Sequence, residues 1–178
     1  MSVDWPTVVL AGLEGSGKTE AWRALWGAHG YPKDRLIEAH VVPVARELGE
    51  HEMMLPDLAG LATIREAHPV FVLVWMEAPK PLRVLRRGGP VMDQAYGYEP
   101  WSIRSVSHQL VYNTGSRAAL AQAMGEVRTR CQVGRYIRLA VGAKLDPLGT
   151  VPVTGRVARQ SAAKQIIIGT NEDGEAFL

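Results

Sequence analysis

Apolar residues fall along this chain in short runs and at helical spacings, and the two patterns alternate. Thr7-Val-Val-Leu-Ala11 is apolar and rich in β-branched residues, which predicts a strand buried on both faces of a parallel sheet. After Thr19, Ala21, Trp22, Leu25 and Trp26 recur at helical spacing, until Gly30 and Pro32 stop the helix. Leu36 to Val44 mixes apolar and polar residues and fits either a strand or a helix, with Pro43 arguing against a central strand. Leu58 to Ala67 predicts a short helix. Val70-Phe-Val-Leu-Val-Trp-Met76, between Pro69 and Pro79, is the strongest strand signal and predicts a central strand.

Beyond it, Pro81 to Arg87 predicts a helical turn ending at Gly88-Gly89-Pro90, and Met92 to Trp101 reads as a mobile loop. Gln109 to Tyr112 predicts another strand. Ser116 is placed to cap a helix through Val127, with Ala119, Leu120, Ala123, Met124 and Val127 on one face. Tyr136 to Val141 reads as a strand, and the remainder, with its apolar run Ile166-Ile-Ile168, as a hairpin or an attached extension. The expected division is a domain over residues 1–142 and a C-terminal extension over residues 143–178. Strands alternating with helices favour an α/β fold with a mainly parallel sheet.

Composition adds bounds. A chain of 178 residues, 47% hydrophobic, suffices for one domain with a substantial core. With 20 basic and 18 acidic residues, charge gives no argument for a nucleic-acid or membrane-surface partner. The lone Cys131 forms no internal disulfide, and the chain opens without a basic-then-apolar leader, so the expected compartment is the cytoplasm. No apolar run approaches the roughly 20 residues needed to cross a bilayer.

The chemistry concentrates in Gly12-Leu13-Glu14-Gly15-Ser16-Gly17-Lys18-Thr19, which follows the first apolar run and opens the first helical one. Glycines at those positions let backbone N–H groups converge on phosphate oxygens, and the helix start adds its positive end. Lys18 is expected to reach the β- and γ-phosphates of ATP, and the Thr19 hydroxyl to take a place around Mg²⁺. Glu14 puts a carboxylate in a loop meant for a polyanion, so it must point outward or help hold metal. A three-layer P-loop NTPase fold is therefore expected, its sheet mainly parallel and flanked by helices.

The order of the loop, the strand ending in Glu77-Ala-Pro79, the segment Pro81-Leu-Arg-Val-Leu-Arg-Arg87 and the turn Asn113-Thr-Gly-Ser116 before a helix resembles P-loop kinases of nucleoside-containing substrates. Dephospho-coenzyme A kinases and phage-type deoxynucleoside monophosphate kinases are the nearest types. The resemblance implies an ATP- and Mg²⁺-dependent transfer to a small nucleotide-like acceptor, with a deoxynucleoside monophosphate leading. It implies that Arg83, Arg86 and Arg87 act as lid arginines, Arg86 foremost; a solvated helix face explains them as well. Asn113 lies near the adenine in that reading, or simply belongs to a turn that Ser116 caps.

For the acidic partner of Mg²⁺, Asp34, Asp57 and Glu77 are the candidates. Asp57 matches an acidic position of the phage-type enzymes, but Pro56-Asp-Leu-Ala59 lacks the arginine those enzymes place nearby. A helix cap before Leu58 accounts for Asp57 equally well. Gly30 to Pro69 leaves little room for a substrate-binding insertion, so the acceptor pocket is expected to be small. Tyr96, Tyr98 and Trp101 either stack on a base or pack their loop. His40, His51 and His108 have no metal-ligand spacing with Cys131, which argues against zinc. A nucleotide-binding module without an acceptor site, acting as a switch or assembly partner, is the rival reading.

Overall fold

A computed structural model describes residues 5–141, with side chains through residue 132. The expected extension over residues 143–178, with its apolar run, lies outside the described residues.

Five parallel strands form one sheet: β1 (Thr7–Gly12), β2 (Leu36–His40), β3 (Glu52–Met54), β4 (Phe71–Glu77) and β5 (Gln109–Tyr112). Their order is β3-β2-β1-β4-β5. The chain thus steps outward from β1 to β3, then crosses to build β4 and β5 on the other side. That reversal beside β1 opens a crevice at the carboxyl ends of the strands, where open α/β sheets take their ligands.

Helices cover both faces, giving the three-layer α/β architecture that the alternating pattern predicts. On one face, α1 (Lys18–Arg23) and α5 (Arg117–Val141) cover Val8, Leu10, Leu36, Val72, Val74 and Met76 with Ala21, Trp22, Leu120, Met124 and Val127. On the other, α2 (Ala59–Ala67) and α4 (Pro100–Ser105) bring Leu61, Ile64 and Ile103 against Val9, Ala11, Phe71, Leu73 and Trp75. Every residue of β1 is buried, as a strand sandwiched between two helical layers requires. The remaining helix, α3 (Lys80–Arg87), follows β4 and ends at Gly88 in the left-handed conformation.

Several expectations change. The ambiguous segment from Leu36 begins as a strand, and Pro43 falls beyond its end, where a missing N–H costs no ladder bond. A three-residue strand at Glu52 is too short for periodicity to reveal. The loop expected from Met92 to Trp101 ends at Glu99 and is hydrogen-bonded to the rest of the domain. Met92 N donates to Glu14 Oε2 at 3.1 Å, Glu99 N donates to Pro56 O at 2.6 Å, and Pro100 starts α4. The strand expected over Tyr136–Val141 is instead the last part of α5. Gly134 does not end that helix: an interior glycine costs only about 1 kcal/mol relative to alanine. After α1 the helix loosens into a π turn, Ala24–Ala28, in which His29 N reaches Ala24 O at 3.1 Å.

Candidate functional site

β1 delivers the glycine loop to the centre of the sheet, and three of its glycines are pressed against three different elements. A Cβ on Gly12 would lie 2.6 Å from Met76 O at the end of β4. One on Gly15, at φ +77°, would lie 2.7 Å from Arg83 O of α3; one on Gly17, at φ +99°, only 2.1 Å from Asn113 Nδ2 beyond β5. Left-handed backbone and close approach both demand glycine at the latter two. Asn113 is buried and donates from Nδ2 to Ser16 O at 2.9 Å, so the turn after β5 braces the loop from below.

Lys18 folds back over the loop and donates to Gly12 O at 2.6 Å and Leu13 O at 3.3 Å. Burial pushes its ammonium down to about 8, opposed by the charges of Glu38 and Glu14. The hydroxyl of Ser16 is buried with no partner among the described residues. Thr19 Oγ1 donates to Glu38 Oε1 at 2.7 Å. A buried cation resting on carbonyls, an orphaned loop hydroxyl and a threonine aimed at a carboxylate fit a polyphosphate with its divalent ion. Lys18 and the loop amides would hold the phosphates. Thr19 would take one ligand position on the ion, and Glu38 would accept hydrogen bonds from the ion's water shell.

This loop forms the floor of a cavity of about 800 Å³, large enough for a nucleotide and a second small molecule. The cavity wall runs from Lys18, Thr19, Glu38 and His40 past Arg46 on one side, and from Arg86 and Arg87 to Asn113 and Arg117 on the other.

The three arginines of α3 have separate surroundings. Arg86 and Arg87 line the cavity. Arg86 donates from Nη1 to Gly15 O at 3.1 Å and from Nη2 to Asn113 O at 2.7 Å, while Arg87 Nη2 stands 3.8 Å from Glu14 Oε1. Arg83 is buried below the loop. It donates to Ala78 O and makes a two-pronged contact with Asp93, at 2.7 and 3.1 Å, that holds the Asp93 carboxyl below its usual range. Glu14 also lines the cavity, where it accepts from Met92 N at 3.1 Å.

The other sequence candidates lie elsewhere. Asp57 is not among the cavity-lining residues; it accepts from Gly60 N at 3.3 Å in the first turn of α2. Asp34 sits in a 3₁₀ turn, Lys33–Arg35. Glu77 accepts from Trp75 Nε1 at 2.8 Å and Arg104 Nε at 2.6 Å. Tyr96 and Trp101 lie off the cavity, Tyr96 exposed and Trp101 against Trp75. Ser116 caps α5, accepting from Ala119 N at 3.1 Å.

Glu38, Arg46 and Glu52, absent from the sequence candidates, and His40, weighed there only for zinc, complete the site. Period-two alternation along β2 puts Leu36, Glu38 and His40 on one side, and Leu36 packs in the core formed with α1 and α5. Glu38 therefore faces Thr19, and His40 pairs in register with Gly12. His40 Nε2 is 2.9 Å from Glu52 Oε1 on β3. Arg46 grips both oxygens of Glu52 at 2.5 and 2.8 Å, Gly49 N adds a bond at 2.6 Å, and these hold the Glu52 carboxyl far below the usual carboxylate range. Burial lowers the pKa of His40, opposed by its bond to Glu52. Ligand atoms of Glu38, His40 and Glu52 come within 4.8 Å of one another. A metal ion there would compete with Arg46 and Gly49 N for both oxygens of Glu52; as it stands, His40 and Arg46 are both hydrogen-bonded to Glu52, while Glu38 is bonded to Thr19. The signal was the alternation Leu36-x-Glu38-x-His40.

These features define a three-layer α/β domain whose central strand ends in a glycine loop roofed by a cavity. No protein-family model and no curated protein sequence matches the chain. Among solved structures, an unliganded sugar kinase from a Janibacter species aligns with a TM-score of 0.46 and 10% identity, over 74% of this chain and 98% of its own. At that distance the likeness carries no inference about chemistry.

Proposed function

We propose that the protein is an ATP- and Mg²⁺-dependent phosphotransferase acting on a small nucleotide-like acceptor. The observation that carries this reading is the glycine loop, with Lys18 buried on it and Thr19 bonded to Glu38, at the floor of a cavity of about 800 Å³. A deoxynucleoside monophosphate is the acceptor that the sequence resemblance implies.

In this reading Lys18 and the loop N–H groups grip the donor phosphates, and the start of α1 adds its dipole. Bound Mg²⁺ supplies charge neutralisation on the transferring group. Arg86 and Arg87, on the cavity wall beside Gly15, stabilise that group's oxygens as the acceptor attacks in line. Arg83 acts one layer down, holding α3 against the loop. Asn113 fixes the loop's shape from beneath. Glu38 takes the role for which Asp57 was the sequence candidate, because Glu38 is the carboxylate bonded to Thr19.

A second reading is a nucleotide-binding module that serves as a switch or assembly partner. One observation favours it: Arg86 already bonds two backbone carbonyls, Gly15 O and Asn113 O. Purified protein with ATP, Mg²⁺, the nucleoside monophosphates and dephospho-coenzyme A separates the two. Transfer that Lys18→Ala abolishes supports the kinase, whereas tight ATP binding without transfer supports the module. Failure to bind either ATP or GTP refutes both.

A further inference from the structure

His40 and Glu52 form an oriented pair beside the phosphate loop that the phosphotransfer reading does not use. Arg46 and Gly49 N keep the Glu52 carboxylate charged, and a charged carboxylate only accepts hydrogen bonds. The contact at 2.9 Å therefore needs the proton on His40 Nε2. That leaves Nδ1 of the neutral ring with its lone pair, on a side chain that lines the cavity. The side chain is only 9% exposed, yet it lines the cavity, one strand over from Gly12 and two residues from Glu38. Around the ring stand Lys18 from α1, Glu38 from its own strand, and Glu52 with Arg46 from β3 and the segment before it.

This surface is built to receive a donor. A phosphate brought to it would meet the Glu38 carboxylate and the imidazole lone pair, and both repel an oxyanion. Of the nearby cations, Arg46 is committed to Glu52, and Lys18 rests on the loop carbonyls where the donor phosphates would lie. A hydroxyl meets the opposite situation, because its O–H can donate to the lone pair.

We propose that His40 is a specificity-determining catalytic residue: it binds, through Nδ1, a hydroxyl of the acceptor, so the group phosphorylated is an alcohol. Glu52, clamped by Arg46, is the positioning residue that sets the ring and its tautomer. In the step, a bond forms from the acceptor oxygen to the γ-phosphorus as the bond from that phosphorus to the β–γ bridging oxygen breaks. The electron pair leaves with ADP, and the hydroxyl proton passes to His40 Nδ1. The inference rests on the phosphotransferase reading and narrows it from a nucleotide-like molecule to the reacting group on that molecule.

Product chemistry tests it on the unaltered full chain. Deoxynucleosides, their 5′-monophosphates and dephospho-coenzyme A are incubated with ATP and Mg²⁺ and followed by phosphorus NMR. The monophosphates carry both kinds of acceptor group, so they decide between them. A new phosphomonoester resonance is expected. A new phosphoanhydride pair overturns this inference and leaves the phosphotransferase reading standing; transfer to no compound overturns both.

Two variants locate the effect. His40→Gln keeps a donor near Glu52 but removes the Nδ1 acceptor, so kcat/KM for the alcohol should fall about 100-fold or more, with ATP affinity and melting temperature unchanged. His40→Asn keeps a polar atom near the Nδ1 position and is expected to retain more activity than His40→Gln. Equal activity in His40→Gln and the parent refutes the assignment. Without ATP present, nitrogen NMR of the parent should show a neutral His40 ring whose Nδ1 resonance moves when the phosphorylated compound is added; an unmoved Nδ1 refutes the contact.

Discussion

Gly17→Ala tests whether the loop is held by its neighbours, and the cost divides into two parts. An alanine at φ +99° carries a left-handed penalty of about 1–2 kcal/mol. Its methyl group would also sit 2.1 Å from Asn113 Nδ2, so that side chain must abandon its 2.9 Å bond to the buried Ser16 carbonyl. Leaving such a group unpaired costs about 1–3 kcal/mol. Together the substitution should destabilise the domain by about 2–5 kcal/mol, summing the same two effects. Asn113→Ala removes the obstacle and the bond at once, so in that background Gly17→Ala should cost only the backbone part, about 1–2 kcal/mol. Urea unfolding of the parent, the two single variants and the double variant gives the coupling directly. If the double variant loses the sum of the two single losses, within about 0.5 kcal/mol, the steric contact has no energetic weight and the reasoning fails.

Other expectations concern charge. Lys18→Met should abolish the thermal shift caused by ATP, yet melt at or above the parent temperature, because it removes an ammonium whose burial is unfavourable in the empty loop; a lower melting point would show that the bonds to Gly12 O and Leu13 O outweigh that cost. Arg83→Met should lose about 2–4 kcal/mol, less than a fully buried pair because Asp93 is partly exposed. Arg86→Met should keep its stability within about 1 kcal/mol and lose phosphotransfer. Equal destabilisation of the two in urea titrations would contradict their separate roles. His108 is fully buried, accepts from Leu73 N at 2.8 Å, and burial takes its pKa from 6.5 to about 3. The unfolded chain therefore binds a proton below pH 6.5 that the folded chain refuses, and stability falls by about 1.4 kcal/mol per unit between pH 6.5 and 3. His108→Gln should flatten that limb of the pH profile by the same amount; an unchanged slope would exclude His108 as its source.

The sequence was most informative where a single pattern fills an element. β1, β4 and β5 are short apolar runs, and each lies within a residue of where its run predicts. The glycine loop was legible because spacing and flanking patterns coincide. β2 was not, since Glu38 and His40 interrupt its apolar side and imitate an exposed segment. Those same interruptions line the candidate site, and that their positions face a helical layer is known only once the neighbours of β2 are in place. Asp57 illustrates the converse: its local surroundings suit either a cap or an active-site carboxylate, and it is found accepting from Gly60 N, off the cavity. The arginines of α3 follow the same logic, since a helix presents successive residues to different surroundings and only the three-dimensional contacts divide Arg83 from Arg86.

A loop wedged against β4, α3 and the turn after β5 has little freedom left to surrender when an anion arrives. Its amides are already fixed by Gly12, Gly15 and Gly17 fitting their neighbours without side chains. Recognition of phosphate here should thus be close to lock-and-key, with a small entropy loss on binding and an association rate set by encounter rather than by loop closure.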